Sequence, residues 1–360
     1  MPQGDEERDD SGIPRDPVLD IEHPDSLVAY LRASGRIDPT EAVRIRRLEG
    51  GVSNRTVLVQ RADGDSWVIK QALSRLRVAE DWFCSPERIH REALGMRWLA
   101  ELAPPGSVPP LIWEDREEHV LAMEAVPEPH ANWKELLLRD GAALGHVDEF
   151  GRLLGTIHRR GWERRGELAA EFGDRSFFES LRVEPYYRYP AARIVAAAPF
   201  LRELIEESHA SSLTLVHGDF SPKNILVSRG HLVLLDHEVM HIGDPAFDVG
   251  FATAHLLSKA HYHGERGGEF LAATQRFWSS YAAALGAVPW ARGLEPRAVR
   301  HALGCLLARV AGRSPLEYLG EAQRRRQRAA TVAMMSRPPE TMAILLEEWG
   351  RQLEDANVGH

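Results

Sequence analysis

Hydrophobic residues in the first third of the chain come in short alternating runs. VRIRRLEGG and VSNRTVLVQ fit two strands around a glycine turn, and SWVIKQAL fits a third. Between the last two, ADGD predicts a hairpin turn, because Asp-Gly supplies the positive φ that tight turns need. The period then lengthens. Ile89, Ala93, Leu94, Trp98 and Leu102 fall on one helical face, which predicts a helix over about 87–102. Pro104, Pro105, Pro109 and Pro110 close it, and LIWEDREEHVLAMEAV fits a further hairpin. Beyond Pro127 the pattern is helical. Phe150, Leu153, Leu154, Ile157 and His158 share one face, a second helix is expected over about 193–209, and several more from 246 onward. Only SLTLVHGDF, NILVSRG and HLVLLDHE interrupt with strand character, and Arg229-Gly230 fits a hairpin turn. No internal repeat of 20 to 50 residues is present. The fold class is therefore α+β. An acidic leader over 1–20 is expected to be disordered, a small β-rich N-terminal lobe to occupy 21–126, and a larger, mainly helical lobe 127–360.

Composition narrows the class. The 360 residues are 44% hydrophobic and 27% charged, which is globular rather than disordered or fibrous. No apolar run reaches the roughly 18 residues of a membrane span, so no membrane partner is expected. The polar N-terminus has no apolar core of a secretory signal, and Cys84 and Cys305 cannot build a disulfide framework. A cytoplasmic location is the expectation. Lys plus Arg is 44 against 53 for Asp plus Glu, a net charge of −9, and this argues against a nucleic-acid partner. The dense run Arg324, Arg325, Arg326 and Arg328 fits a solvated helix face or a binding patch.

The chemistry concentrates in LVHGDFSPKNILVSRGHLVLLDHEVMHIGDPAFDVG. Asp219 is followed by Asn224, and Asp236 ends the apolar run HLVLL. Phosphoryl transfer needs this set of groups: one carboxylate to orient the attacking hydroxyl and accept its proton, an amide and a second carboxylate to hold Mg²⁺. Taken singly, these acids would pass for turn formers. Their joint spacing before and after an apolar strand points to catalysis.

HGDFSPKN together with LLDHEVMHIGDPAFDVG resembles the aminoglycoside phosphotransferase and choline kinase superfamily, small-molecule relatives of protein kinases, over about residues 40–335. The resemblance implies a bilobal protein-kinase-like fold with ATP and Mg²⁺ as cofactors. It also implies that Asp219 is the catalytic base, that Asn224 and Asp236 ligate magnesium, and that Glu238 supports the metal or the substrate. Gly243-Asp244-Pro245 follows Asp236 within nine residues, leaving no long activation segment to dock a protein, so a small hydroxylated substrate is expected. VIKQALSRLRV followed by EDW, with the D-x-E form of the metal motif, resembles 5-methylthioribose kinases. Those enzymes have a different run after HGD, and an Arg-Arg pair where this chain has Ala308-Arg309. The acceptor class thus stays open between a sugar-like metabolite and an aminoglycoside-type antibiotic.

ATP also needs backbone amides and a cation near its phosphates. Gly50 and Gly51, with Ser53 after them, suit close backbone approach or a plain hairpin. Lys70 follows the strand WVI in the place of a phosphate lysine, and Glu92 on the next helix is its expected partner, with Glu87 and Glu80 as competitors. Met123, Glu124 and Ala125 would form the hinge whose backbone meets the adenine. Lys223 either stabilises the transferring phosphoryl or is a solvated loop lysine. Arg309, inside an apolar helix, either pairs with an acid such as Asp248 or contacts the substrate or a phosphate. The loop 173–190, with Phe177, Phe178, Tyr186 and Tyr187, either packs on the core or walls a pocket. His158 is expected as a satisfied core histidine, His217 as a brace of the catalytic loop, and Asp244 and Asp248 as structural caps. A module that binds nucleotide without transferring phosphate is the alternative function.

Overall fold

The computed structural model describes residues 19–48, 53–77 and 82–358, and the Gly50-Gly51 turn, Glu80 and most of the acidic leader lie outside the described residues. The chain divides into two compact units, Met1–Trp98 with Pro109–Pro127 and Leu99–Val108 with Glu128–His360. The first holds helix α1 (Pro24–Ala33), strands β1 (Arg44–Arg47), β2 (Asn54–Gln60) and β3 (Ser66–Ala72), most of helix α2 (Arg88–Leu102), and strands β4 (Leu111–Asp115) and β5 (Val120–Glu124). The strands form one antiparallel sheet in the order β1-β2-β3-β5-β4.

Residue alternation assigns the two faces of that sheet. Val57, Val59, Trp67, Ile69, Val120 and Ala122 point one way and bury against Leu27 and Leu31 of α1. Ala72, Leu121 and Met123 point the other way, against Ile89, Ala93 and Met96 of α2. Each fully buried aliphatic side chain contributes about 1.5–3 kcal/mol, so both helices are held by the sheet rather than by their own propensity. Helix α1 was not anticipated, because Leu27 and Leu31 are a two-residue stripe in a polar segment.

The second unit runs β6 (His130–Asn132), α3 (Trp133–Arg139), α4 (Leu144–Glu163), α5 (Arg165–Phe172), α6 (Ser176–Phe178), a π-wound turn Glu179–Arg188, α7 (Tyr189–Arg193) and α8 (Ala198–Ala210). It continues through β7 (Thr214–Val216), β8 (Ile225–Ser228), β9 (His231–Leu234), β10 (His241–Gly243), α9 (Ala246–His263), α10 (Gly267–Leu285), α11 (Leu294–Ala311), α12 (Glu321–Ser336) and α13 (Met342–Val358). Strands β6-β8-β9 form one small sheet and β7-β10 another. The segment 173–190 is helical from Ser176 onward rather than a loop. The helix expected over 193–209 begins as a single turn at Val195–Ala197 and is regular only from Ala198.

Close helix packing fixes the position of α4. A Cβ on Gly151 would meet the Phe277 carbonyl oxygen at 2.6 Å, and one on Gly155 the Tyr281 carbonyl oxygen at 2.5 Å. The two glycines, one turn apart, therefore let α10 lie directly on the α4 backbone. The expected apolar face of α4 is buried throughout, His158 included.

Candidate active site

The HGD segment is a loop that leaves β7 and returns as β8 after the turn Pro222–Asn224. Gly218 has φ 77°, and a Cβ there would meet Val239 Cγ1 at 2.8 Å, so no other residue fits. The β8–β9 hairpin turns on Arg229 and Gly230, both at positive φ, as such two-residue turns require. Ile225 pairs with Leu234 across that hairpin, and the Leu235 amide donates to the Asn224 carbonyl at 2.9 Å. This pairing sets Asn224, just before β8, beside Asp236, just after β9. Asp236 itself has φ 68°, a conformation that Asp tolerates better than most residues. Asp236 and Glu238 each bring a carboxylate oxygen within 4.8 Å of the other.

Asp219 is clamped from two sides. Its Oδ2 accepts from Asn224 Nδ2 at 2.6 Å, and its Oδ1 lies 2.7 Å from an Arg182 guanidinium nitrogen. Arg182 also donates through Nε to the Gly218 carbonyl at 2.6 Å, so one buried guanidinium orders both the backbone and the carboxylate of the loop. Burial alone would lower the Arg182 pKa. The charge of Asp219, helped by Tyr186, Glu238 and Asp236, reverses the shift and raises it. Because Asn224 spends its NH₂ group on Asp219, its Oδ1 is the end left to a cation. Among the described residues that oxygen accepts no hydrogen bond. One amide and two carboxylates are hard oxygen donors of the kind Mg²⁺ takes, so the residues present fit that ion.

Asp248 anchors the loop from beneath. Its Oδ2 accepts the His217 amide at 2.6 Å and its Oδ1 the Gly218 amide at 2.8 Å. His158 Nε2 donates to Oδ2 at 3.1 Å, and its Nδ1 meets the Tyr281 hydroxyl at 2.9 Å. Burial pushes the Asp248 carboxyl up, but the hydrogen bonds from the His158 side chain and the His217 amide hold it below the ordinary range. His217 accepts the Asp219 amide on Nδ1 at 3.2 Å, which leaves Nε2 to donate to His237 Nδ1 at 3.1 Å. Burial holds His217 below the ordinary histidine pKa, consistent with a neutral brace. Phe220, the next residue along, stacks on Phe150 of α4 at 4.3 Å.

In the first unit, Lys70 on β3 reaches Glu92 on α2 at 2.6 Å, with Glu92 fully buried. Glu87, the competing partner, instead lies 3.7 Å from His119. Arg88, also fully buried, donates to the carbonyls of Ser53, Leu73, Cys84 and Ser85 and so ties the start of β2 to the end of β3. In the segment Met123, Glu124 and Ala125, the Glu124 amide donates to Pro110 at 3.0 Å and the Ala125 amide to Ser66 at 2.8 Å. Those two amides are therefore already engaged within the unit.

Lys223 is exposed, and its carbonyl is tied by Asn132 Nδ2 at 2.7 Å. The suggested Arg309–Asp248 pair does not exist, because amides and His158 surround Asp248. Arg309 donates instead to the Tyr186 hydroxyl at 3.0 Å and the Ser314 carbonyl at 2.6 Å. Phe178, Tyr186 and Tyr187 are buried, with Phe178 stacked on His241 at 4.1 Å and the Tyr187 hydroxyl on His301 at 2.8 Å. Sequence reasoning missed Arg182. The only signal was an arginine among aromatics.

The model of the phosphotransferase enzyme family matches residues 44–289, and the chain belongs to that family. It is similar to methylthioribose kinase 1 of Oryza sativa subsp. japonica, 25% identical over 269 residues. The match covers 64% of this chain and 61% of that protein, so the chain spans about three fifths of the curated relative's length. Among solved structures it is similar to a choline/ethanolamine kinase family protein from Mesorhizobium loti, with 17% identity, TM-score 0.52, and 92% and 97% of the two chains covered. It is also similar to Plasmodium vivax ethanolamine kinase, with 12% identity, TM-score 0.53, and 93% and 89% covered. These likenesses carry the fold, which is the protein-kinase-like architecture.

Proposed function

We propose that this member of the phosphotransferase enzyme family moves the γ-phosphoryl group of ATP to a hydroxyl of a small molecule. The observation that carries the reading is the clamp on Asp219, with Arg182 on one oxygen and Asn224 on the other. Such a clamp aims a carboxylate without needing a strongly basic one. A loose transition state asks for little proton removal before the leaving bond breaks.

In this reading the acceptor oxygen attacks the γ-phosphorus, the bond to the β,γ-bridging oxygen breaks, ADP leaves, and the hydroxyl proton passes to Asp219. Asn224 and Asp236 would hold Mg²⁺, with Glu238 in support, and the ion when bound neutralises charge on the β- and γ-phosphates. Lys70, held by Glu92, takes the α- and β-phosphates. Met123, Glu124 and Ala125 line the adenine through groups other than the two engaged amides. Lys223 extends a positive charge toward the transferring group. The acceptor is a sugar-like metabolite or an aminoglycoside-type antibiotic.

The test is ADP release with Mg²⁺–ATP across 5-methylthioribose, pentoses, hexoses, choline and aminoglycosides, with Asp219→Asn as the blank. A signal that vanishes in the variant supports the reading. Nucleotide binding with no ADP from any acceptor favours a binding module without transfer.

A further inference from the structure

A second group of charged side chains lies in the same unit as Asp219, a short contact path away. Arg182, which holds Asp219, sits 5.7 Å from the Tyr186 ring, and Arg309 sits 5.9 Å from the same ring while donating to its hydroxyl. Phe251, His255 and Lys259 follow at four-residue steps on α9. The Phe251 ring lies 5.6 Å from Tyr186 and 4.9 Å from His255. The Lys259 ammonium is fully buried, 5.5 Å from the Tyr318 ring, and donates at 3.3 Å to the His255 carbonyl.

The charge here is one-sided. Lys134 pairs with Glu317 at 2.8 Å, but among the described residues Lys223, Lys259 and Arg309 form no ion pair. Two buried polar atoms also have no partner: Arg309 Nε and the Tyr318 hydroxyl oxygen. Burial, then the charges of Lys134 and Arg309, push the Lys259 pKa down to about 7 against the weaker opposing charge of Glu317. The strongest charges acting on buried His255 are Arg309, Lys259, Lys223 and Lys134, and all four are cationic. A buried cation without a counter-charge is costly, and a group of them with unused donors is what an anion requires.

We propose that the acceptor carries an anionic group, a carboxylate or a phosphate ester, near the hydroxyl that is phosphorylated, and that Lys259 and Arg309 hold it, with Lys223 alongside. The inference rests on the phosphotransfer reading above and narrows its acceptor class away from polycations. A cationic acceptor group would meet the like charges of Lys259, Arg309 and Lys223. A neutral sugar would bring Lys259 no counter-charge to hold its proton.

The test measures binding separately from turnover. Full-length protein is titrated calorimetrically with matched pairs: gluconate against glucose, glycerol 3-phosphate against glycerol, and choline and kanamycin as cations. Each titration is repeated with a saturating non-hydrolysable ATP analogue and Mg²⁺. At least one acid should bind tenfold or more tighter than its neutral partner, with the nucleotide analogue present as well as without it. Lys259→Met keeps the side-chain length and removes the buried charge, so it should fold and lose that preference. Lys223→Ala, at an exposed position, should weaken the preference less. Equal binding of acid and neutral partner, absence of acid binding, acid preference surviving in Lys259→Met, or displacement of the acid by the nucleotide analogue would each overturn the proposal. The last would assign the cations to the nucleotide's phosphates. Acid binding without ADP formation from any acceptor would count against phosphotransfer while leaving the anion site standing.

Discussion

The two units each carry a cation–carboxylate pair, and the roles within the pairs are reversed. At Lys70–Glu92 the carboxylate is fully buried and serves the cation, holding an ammonium that would otherwise wander. At Arg182–Asp219 the cation is buried and serves the carboxylate, while Asp219 keeps 18% of its side chain exposed. In both, the serving residue is the more deeply buried and the served one reaches outward. A buried ion pair is weak evidence for stability. It is better evidence of where a charge has to be aimed.

The largest effect should fall on the served carboxylate. Asp219→Ala should lower kcat by about 10²–10⁴-fold with nucleotide affinity nearly unchanged. Turnover within tenfold of wild type would remove Asp219 from its role and end the comparison. Arg182→Met should come next, with kcat down about 10²-fold, since a carboxylate displaced by an ångström is already badly aimed. The acceptor KM should move little, and circular dichroism should show the fold retained. Lys70→Met should raise the nucleotide Kd about tenfold, the loss of one charge-assisted contact. A kcat loss matching that of Arg182→Met would mean the two pairs do the same work.

Acid separates the units further. His217, His255, His261 and His301, all in the second unit, have pKa values lowered first by burial, His261 and His301 to about 4. Unfolding returns each to about 6.5. The unfolded chain therefore binds more protons below that pH, and stability falls as pH drops from about 6.5 toward 4. Each such histidine adds at most about 1.4 kcal/mol per pH unit to that slope. His301→Gln should flatten it in urea titrations at pH 5 and 6. An unchanged slope would show that His301 takes up its proton while folded. The smallest effect is expected for Tyr281→Phe, about 1 kcal/mol, because it removes one buried hydrogen bond to His158.

What could be read from the residues followed from regularity. Lys70 and Glu92 stand on a strand and a helix whose periods are plain, so their meeting was foreseeable. That Asn224 and Asp236 fall side by side was foreseeable because a hairpin with a recognisable Arg229-Gly230 turn joins them. Arg182 was hidden, since its π-wound turn with Pro185 inside follows no simple period and looked like an aromatic loop. Asp248 was seen as a helix-start acid. Its hydrogen bonds to the His217 and Gly218 amides, some thirty residues upstream, depend on how β7 meets α9, and no local pattern carries that. The Arg309–Asp248 pairing failed for the same reason.

The left-handed backbone at Asp236 limits which descendants of this chain are within easy reach. Of the amino acids, glycine adopts that conformation freely and Asn and Asp tolerate it, while a longer acid such as Glu would need the loop to be laid again. A lineage that stopped using the cation would therefore drift most cheaply to Asn or Gly at this position, keeping the fold while losing the charge. Inactive cousins of such an enzyme should then look intact everywhere except at a single carboxylate.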